Sequence, residues 1–423
     1  MSELSCIIRG VDTLLFRDGR PFGGEAGERA DTLNLPVPST LAGFLRTKHG
    51  ALNGDWAGVS DSIHVWGPLL MRNGGVVLPA PADALVTHPG RDRSRVSVTR
   101  LLPWSRAAFE SAGAGTDIPG GMLPMKVPVS EKPAGGFEFW SWRNVAEWLG
   151  DAPQQTEYRE VDLKPRCYRI EDGAATPPQA EDFEADLAPP VDYRVHVKMD
   201  GKTGTGEEGK LFSTSMVAFE KHAWERMERQ SNVRFDLLCQ VRGVEDESRI
   251  LGPGVFGGEN RAAVVSRAAP GYWPACPHAL AARLASARRV RMLLATPAIF
   301  EHGWIPQWLD KTTKTGSPPG LKGRLALKLT AAAVPRRQAV SGWEISGAGP
   351  GRPKPVRWCA PAGSVYFFEV VSGDPALLAG EGWLASVSDD EETRTPGRTL
   401  EKNRADGFGL ALWGIWDDKE GAS

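Results

Sequence analysis

The chain has 423 residues, of which 41% are hydrophobic and 24% are charged, and its formal net charge at pH 7 is −2. This length allows two or three domains with separate cores. The near-neutral charge excludes a protein that holds nucleic acid by its overall field. No apolar run approaches membrane-spanning length and no signal segment opens the chain, so we expect a cytoplasmic protein without membrane contact.

The five cysteines are odd in number and far apart, and no CxxC motif occurs. This pattern supports neither a zinc ribbon nor a disulfide framework. Cys276 and His278 could supply two metal ligands, but no second pair stands near them in the sequence. We therefore predict no metal and no cofactor.

The first 50 residues predict a strand, a turn and a helix. Residues 6–16 have the composition of a strand, and Gly and Pro mark a turn at 17–22. Ser39 is predicted to cap a helix that ends near Lys48 and His49, where cations suit the helix dipole. The free N–H groups at such a helix start can receive a phosphate, although an ordinary β-loop-α unit fits the same residues.

The middle of the chain alternates predicted elements with long loops. Residues 63–71 and 76–80 predict a hairpin around Asn-Gly-Gly. Residues 137–149 favour a helix, 235–242 favour a strand, and 279–286 favour a short helix. Three segments are predicted to be irregular, namely the basic residues 83–106, the Gly/Pro-rich residues 111–133 and the acidic residues 172–190.

A long hairpin is predicted from 191–197 and 211–219, with a charged, Gly-rich tip between them. Residues 204–210 match G-x-x-x-x-G-K, but Leu211 stands where a phosphate loop has Ser or Thr, and a strand pattern follows instead of a helix. This is therefore no nucleotide-binding loop. Lys198, Lys202 and Lys210 are available to a partner.

The last third of the chain repeats the order of predicted strands and helices found in the first part. Strands are predicted at 290–295, 323–332, 364–371 and 408–416, and Pro375 is suited to the first position of a helix. Each half thus suits a ferredoxin-like fold, which makes the protein α+β with antiparallel sheets and long insertions. We predict domains at residues 1–287 and 288–423; periodicity alone does not fix the topology.

Three further stretches combine glycine, positive charge or tryptophan. Gly407, Phe408 and Gly409 predict either a tight turn or a backbone that approaches a ligand closely. Asn260 and Arg261 follow two glycines and suit a turn or an anion-binding nest. Residues 322–357 form a basic stripe with Arg336 and Arg337, and Trp304, Trp343 and Trp358 could stack bases; core or subunit contacts explain most tryptophans equally well.

Five motifs resemble a known family in the order in which that family has them. They are LLFRDGRPF and LPVPSTLAGFLRT near the N-terminus, VHVKMDGKTGTGEEGKLF at 195–212, GGENRA at 257–262 and GFGLALWGIW at 407–416. The set resembles subunit three of the type III-B CRISPR Cmr effector complex, in the RAMP superfamily. The resemblance implies two RNA-recognition-type domains and a hairpin that contacts the guide–target duplex.

The resemblance also implies a function in antiviral defence. A non-catalytic subunit would hold the 5′ repeat-derived tag of the guide RNA and meet target RNA indirectly. It would dock to the large polymerase/cyclase-type subunit and to the RNA-cleaving backbone subunit. The predicted RNA-binding residues are Arg17, Arg20, Ser39, Thr40, Arg46, Lys48, Lys198, Lys202, Lys210, Asn260, Arg261, Arg336, Arg337, Gly407, Phe408 and Gly409.

Three alternatives stay open at this stage. His49 lies where repeat-processing RAMP endonucleases often have a catalytic histidine, so the chain could be a metal-independent endoribonuclease. It could instead be the equivalent subunit of another type III complex. A structural bridge that touches no RNA is the third alternative.

Overall fold

The structure, a computed structural model, describes residues 3–17, 29–51, 62–88, 95–113, 115–118, 121–150, 155–159, 170–171, 174–175, 187–221, 233–344, 352–391 and 402–417. The principal strands are β1 (Glu3–Gly10), β2 (His64–Arg72), β3 (Gly75–Pro79), β4 (Phe139–Ser141), β5 (Val191–Met199), β6 (Gly206–Val217), β7 (Val233–Arg242), β8 (Gly252–Val255), β9 (Ala262–Arg267), β10 (Arg289–Leu294), β11 (Leu325–Ala333), β12 (Val365–Gly373) and β13 (Leu410–Ile415). The helices are α1 (Pro38–Ala51), α2 (Arg106–Ser111), α3 (Trp142–Leu149), α4 (His278–Leu284) and α5 (Asn403–Asp406), with 3-10 turns at Glu247–Arg249 and Pro375–Ala379.

Short strands complete the described secondary structure. They are Arg29–Ala30, Ala84–Thr87, Arg95–Arg100, Leu102–Pro103, Met125–Lys126, Gln155–Arg159, Ile170–Glu171, Ala174–Ala175, Glu220–Lys221, Thr315–Gly316, Gln338–Val340, Trp343–Glu344, Arg352–Pro353, Arg357–Cys359 and Ala385–Ser386.

Two antiparallel sheets share one strand order. In the N-terminal sheet the central strands lie in the order β9-β1-β7-β2, with every neighbour antiparallel and α1 between β1 and β2 in sequence. In the C-terminal sheet β10 to β13 lie in the order β11-β12-β10-β13. Both are the ferredoxin-like arrangement of two central and two flanking strands. The predicted α+β class with antiparallel sheets is confirmed.

The two sheets pack into one continuous core. Leu69 and Met71 of β2 belong to the same buried cluster as Leu293 of β10 and Phe367 of β12. Helix α1 covers the other face of the N-terminal sheet, where it forms a second buried cluster. Because the main cluster crosses from one sheet to the other, the two halves stabilise each other; the predicted division at residue 287 stays a prediction.

A buried ion pair crosses this core. Arg291 of β10 bonds to Asp83, and both side chains are almost completely excluded from solvent. The Trp148 indole donates to Asp83 at 2.8 Å, and the Trp148 carbonyl oxygen accepts from Arg291. Burial lowers the pKa of Arg291, and Asp83 opposes that shift by favouring the charged guanidinium.

Several predicted boundaries were wrong. Helix α1 begins at Pro38, so Ser39 lies in its first turn instead of capping it, and the opening strand ends at Gly10. Residues 83–106, predicted irregular, contain Ala84–Thr87 and Arg95–Arg100 as paired strands. The second of these strands alternates apolar and polar residues, and its Val96 and Val98 belong to the core. Because the segment is rich in arginine, this alternation was not recognised from the sequence.

Other expectations were confirmed. The hairpin β2-β3, the long hairpin β5-β6, strand β7 and the four C-terminal strands lie where they were predicted. The helix predicted at 137–149 is α3, which is capped by Gly150 but begins only at Trp142. Most of the predicted turn at 17–22 and of the acidic segment at 172–190 lies outside the described residues.

Candidate nucleic-acid interface

Arg46, a predicted RNA contact, is bound within the fold. Its guanidinium donates to the carbonyl oxygens of Ile63 at 3.0 and 3.1 Å and of Ala405 at 3.2 Å. It also pairs with Asp406, and only 16% of the Arg46 side chain is exposed. Arg46 therefore ties α1 to β2 and α5, and we leave it out of the interface proposed below.

Lys48 and His49 end α1 against the segment 246–254. The Lys48 ammonium donates to the Pro253 carbonyl oxygen at 2.6 Å, and burial lowers its pKa. Burial and the nearby Arg249 also lower the pKa of His49, so the imidazole is neutral at pH 7. A neutral imidazole suits a general base, but the predicted chemistry at His49 stays a prediction.

The remaining N-terminal candidates lie near the start of α1. Ser39 and Thr40 are half-buried in its first turn, and Arg17 is exposed where it bridges to Thr32. Arg20 lies outside the described residues. At the helix start Pro38 has no N–H, and the Val37 carbonyl oxygen already accepts from the N–H groups of Thr40 at 2.9 Å and Leu41 at 3.4 Å. Most of the predicted backbone donors are therefore missing or already used, and the Ser39 and Thr40 hydroxyl groups are the side-chain donors of this turn.

The glycine-rich turn at 407–409 is buried. Phe408 is 0% exposed, and a side chain at Gly407 would place Cβ 2.7 Å from the Gly67 carbonyl oxygen. Gly407 has a φ of 92°, and it ends α5 in the left-handed conformation that favours glycine. These residues close the chain onto the N-terminal sheet, so they are excluded from the interface proposed below.

Asn260 and Arg261 form part of a tight turn between β8 and β9. Asn260 is exposed with a φ of 51°, and Arg261 donates to Asp12 at 3.0 Å. Phe256 N donates to the Arg261 carbonyl, and Gly258 N donates to the Leu15 carbonyl. The turn is thus fixed by internal bonds, with the Asn260 side chain facing solvent.

The long hairpin β5-β6 carries three of the predicted lysines. Lys202 is exposed at the tip, where Asp200 accepts from the backbone N–H groups of Lys202 and Thr203, which lowers the Asp200 pKa. Lys198 lies near the end of β5, and Lys210 pairs with Glu207 at 3.1 Å. The strand that follows the G-x-x-x-x-G-K match confirms that this segment is a hairpin and no phosphate loop.

One face of this hairpin is apolar and exposed, which the sequence did not indicate. Its members alternate along β5 and continue on β6, and their exposed fractions run from 44% to 73%: Tyr193, Val195, Val197, Met199 and Leu211. Arg29 lies 5.1 Å from the Tyr193 ring centre. Alternation predicts a strand but does not tell which face is covered. Here the apolar face is exposed toward the tip of the hairpin, whereas residues 214–217 at the end of β6 are buried.

The basic stripe at 322–357 includes an exposed aromatic and arginine cluster. Arg336 and Arg337 are exposed, and the Arg337 guanidinium lies 3.9 Å from the Trp358 ring centre. Trp343 lies on the adjacent strand pair and is 59% exposed. Trp304 instead packs against the main core. Exposed indoles beside cations are the usual platform for unpaired bases.

We find no candidate metal site in the described part of the chain. Among those residues, no group of three or more His, Cys, Asp or Glu side chains is placed to hold an ion. Burial raises the pKa of Cys276 to about 11, which disfavours the thiolate that a metal needs.

The family of this chain follows from comparison with known proteins. The model of the family described as CRISPR-associated protein (Cas_Cmr3) matches residues 6–416. The chain belongs to the Cas_Cmr3 family. Membership confirms the CRISPR-associated class that the five motifs predicted. A search of curated proteins found no match.

Solved structures with a similar fold include other CRISPR subunits. A chain of "Cryo-EM structure of the Type III-B Cmr-beta bound to cognate target RNA" has 17% identity and a TM-score of 0.42, with 86% of each chain covered. A second Cmr-beta structure, with target RNA and AMPPnP, has 16% identity, a TM-score of 0.41 and the same coverage. A chain of a type III-A Csm3-Csm4 subcomplex has 9% identity and a TM-score of 0.36, covering 98% of this Cas_Cmr3 chain and 99% of its own.

Within the described residues, no helix of this Cas_Cmr3 chain has the length and apolar character that crossing a membrane requires.

Proposed function

We propose that this Cas_Cmr3 protein is the non-catalytic subunit three of a type III-B CRISPR effector complex and that it holds the 5′ repeat-derived tag of the guide RNA. The observation that carries the proposal is the family match, which spans residues 6–416. In this role the protein docks to the large polymerase/cyclase-type subunit and to the RNA-cleaving backbone subunit. It meets target RNA indirectly, through the guide.

The long hairpin supports this function by its surface chemistry. Lys198, Lys202 and Lys210 place positive charge along it and at its tip, where phosphates are attracted without sequence preference. Its exposed apolar face, which includes Val195 and Val197, suits contact with the flat surface of an unstacked base. A hairpin that carries both a basic surface and an apolar surface suits a position where the guide–target duplex bends or its strands separate.

Two smaller surfaces complete the proposed interface. The start of α1 offers the Ser39 and Thr40 hydroxyl groups to a phosphate of the tag at the positive end of the helix dipole, and Arg17 adds charge nearby. Arg336 and Arg337, beside Trp358, offer cations and an indole face to unpaired bases. Both surfaces bind backbone and bases without the need for a catalytic group.

The experiment that tests the proposal is direct RNA binding by the purified protein. A single-stranded RNA with the repeat-derived tag at its 5′ end should bind at least about tenfold more tightly than the same RNA with the tag scrambled, since tag bases add contacts beyond phosphates. The RNA should keep its length during incubation. Cleavage that His49→Ala abolishes would overturn the non-catalytic proposal in favour of an endoribonuclease, and equal affinities would overturn tag recognition.

A further inference from the structure

A cleft of about 710 Å³ lies between the N-terminal sheet and the edge of the C-terminal sheet. Three half-buried tryptophans line it, Trp66, Trp273 and Trp383, together with His64 and three cations. This volume lies within the range of pockets that take a small organic ligand, which is roughly 300–1,000 Å³. None of the motifs in the sequence points to it.

The register of two strands builds one wall of this cleft. Trp66 pairs with Gln240, and His64 pairs with Arg242, across β2 and β7. Because alternate residues of a strand share a face, all four side chains project into the cleft. The Arg242 guanidinium lies 4.5 Å from the Trp66 ring centre and pairs with Glu3 at 2.9 Å. This wall therefore offers an indole whose ring face is covered by a guanidinium, which is itself a planar surface on which a base can stack.

The opposite wall comes from the C-terminal part of the chain. Trp383 is fixed there by its indole N–H, which donates to the Pro274 carbonyl oxygen at 2.9 Å. It precedes the short edge strand Ala385–Ser386, while Lys402 and Arg404 lie at the start of α5. Residues far apart in sequence thus meet as two aromatic and basic walls.

The acidic groups of the cleft are already neutralised. Glu381 accepts two bonds from Arg324, both at 2.6 Å, and this pairing lowers the Glu381 pKa. Asp390 accepts from Arg404 at 2.7 Å. With its carboxylates paired, the cleft presents flat aromatic surfaces, with Lys402 in its lining and Arg242 held by Glu3. These groups suit a planar base attached to a phosphate.

We infer that this cleft, defined by Trp66, Arg242, Trp383 and Lys402, binds one unstacked nucleotide of a single-stranded RNA. The inference rests on the proposed function, because it adds a second RNA contact to a subunit proposed to hold the guide. The base lies against Trp383 or against the Arg242 guanidinium that covers Trp66, and Lys402 faces the sugar–phosphate side. An acidic peptide of a partner protein is the competing occupant.

The test is photo-crosslinking of the purified full chain to a single-stranded RNA that contains 4-thiouridine, with adducts mapped by mass spectrometry. Adducts should fall on peptides that contain Trp66 or Trp383. Trp66→Ala and Arg242→Gln should each reduce them about fivefold or more, as expected for the loss of one stacked base. Arg242 contacts Glu3 and the Trp66 ring from the surface, with half of its side chain exposed, so Arg242→Gln keeps the test valid where Trp66→Ala fails to fold.

The matched control pair is Trp104→Ala and Arg106→Gln, a neighbouring indole and arginine outside the cleft, which should leave the adducts unchanged. UMP should compete at least about tenfold more weakly than the RNA, because an RNA chain adds contacts at neighbouring nucleotides. Equal competition by UMP would identify a free-mononucleotide site instead and overturn the inference.

Two results would overturn the inference while the proposed function stands. In the first, the RNA binds, but all crosslinked adducts lie outside the cleft and the Arg242→Gln variant gives the same adduct yield as the wild type. The other is protein crosslinking in the assembled complex that places a partner polypeptide between Trp66 and Trp383. If the tag RNA fails to bind at all, the proposed function fails instead, and the two failures are thereby distinguished.

Discussion

Replacing Asp83 with alanine should lower the free energy of unfolding by about 3–5 kcal/mol, because the change leaves Arg291 charged and unpaired in the core. Arg291 is 0% exposed, and Asp83 is the carboxylate that it contacts. Asp83 also accepts from the Trp148 indole at 2.8 Å, so the same substitution removes a second buried bond. Denaturant unfolding of the purified chain, followed by fluorescence, measures the effect.

A surface pair provides the control. Glu110→Ala removes an exposed partner of Arg106 in α2, where the side chains are 66% and 60% exposed, and should cost less than about 1 kcal/mol. The double variant Asp83→Leu, Arg291→Met should recover part of the stability lost in Asp83→Ala, since no unpaired charge is then buried. A loss in Asp83→Ala as small as that in Glu110→Ala would show that the pair does not hold the two sheets together.

The second large effect is expected at the hairpin. Replacing Lys198, Lys202 and Lys210 with glutamate should weaken RNA binding by about a hundredfold or more at low salt. It should also lower the slope of log affinity against log salt by about 2–3, since each phosphate contact contributes nearly one unit. Titrations of the tag RNA at several salt concentrations measure both quantities.

The control for this variant changes net charge equally. Lys132, Arg143 and Lys311 are exposed outside the hairpin, and their replacement with glutamate lowers the charge by the same amount. This control variant should keep the wild-type salt slope, because a distant charge makes no phosphate contact. If both triple variants lose affinity equally, the lysines act through net charge alone and the hairpin has no special role.

Local patterns predicted most of the strands but not what lies against them. The apolar run SVYFFEVV predicted a strand at 364–371, and β12 occupies Val365–Gly373. Strand positions do not specify neighbours, because register and sheet order arise from contacts between distant segments. The order β9-β1-β7-β2 therefore became visible only in the structure.

The candidate site was less predictable than the fold. Arg46 and Gly407 are residue types that often line binding sites. In the structure, however, Arg46 is hydrogen-bonded to the Ile63 carbonyl oxygen, and Gly407 packs so closely on the Gly67 backbone that a side chain would not fit. A sequence gives charge and flexibility but not burial, so it cannot separate a residue that binds a ligand from one that stabilises the chain. The cleft between Trp66 and Trp383 was missed for the same reason, since no local pattern joins residues so far apart.

The proposed function requires that this Cas_Cmr3 protein carries guide RNA within a multisubunit complex. Affinity purification of the tagged protein from its native cells, with sequencing of the co-purified RNA and identification of the bound proteins, tests this requirement. We expect short RNAs that share one repeat-derived 5′ end, together with several partner proteins. Recovery of the protein with its partners but without such RNA would contradict it.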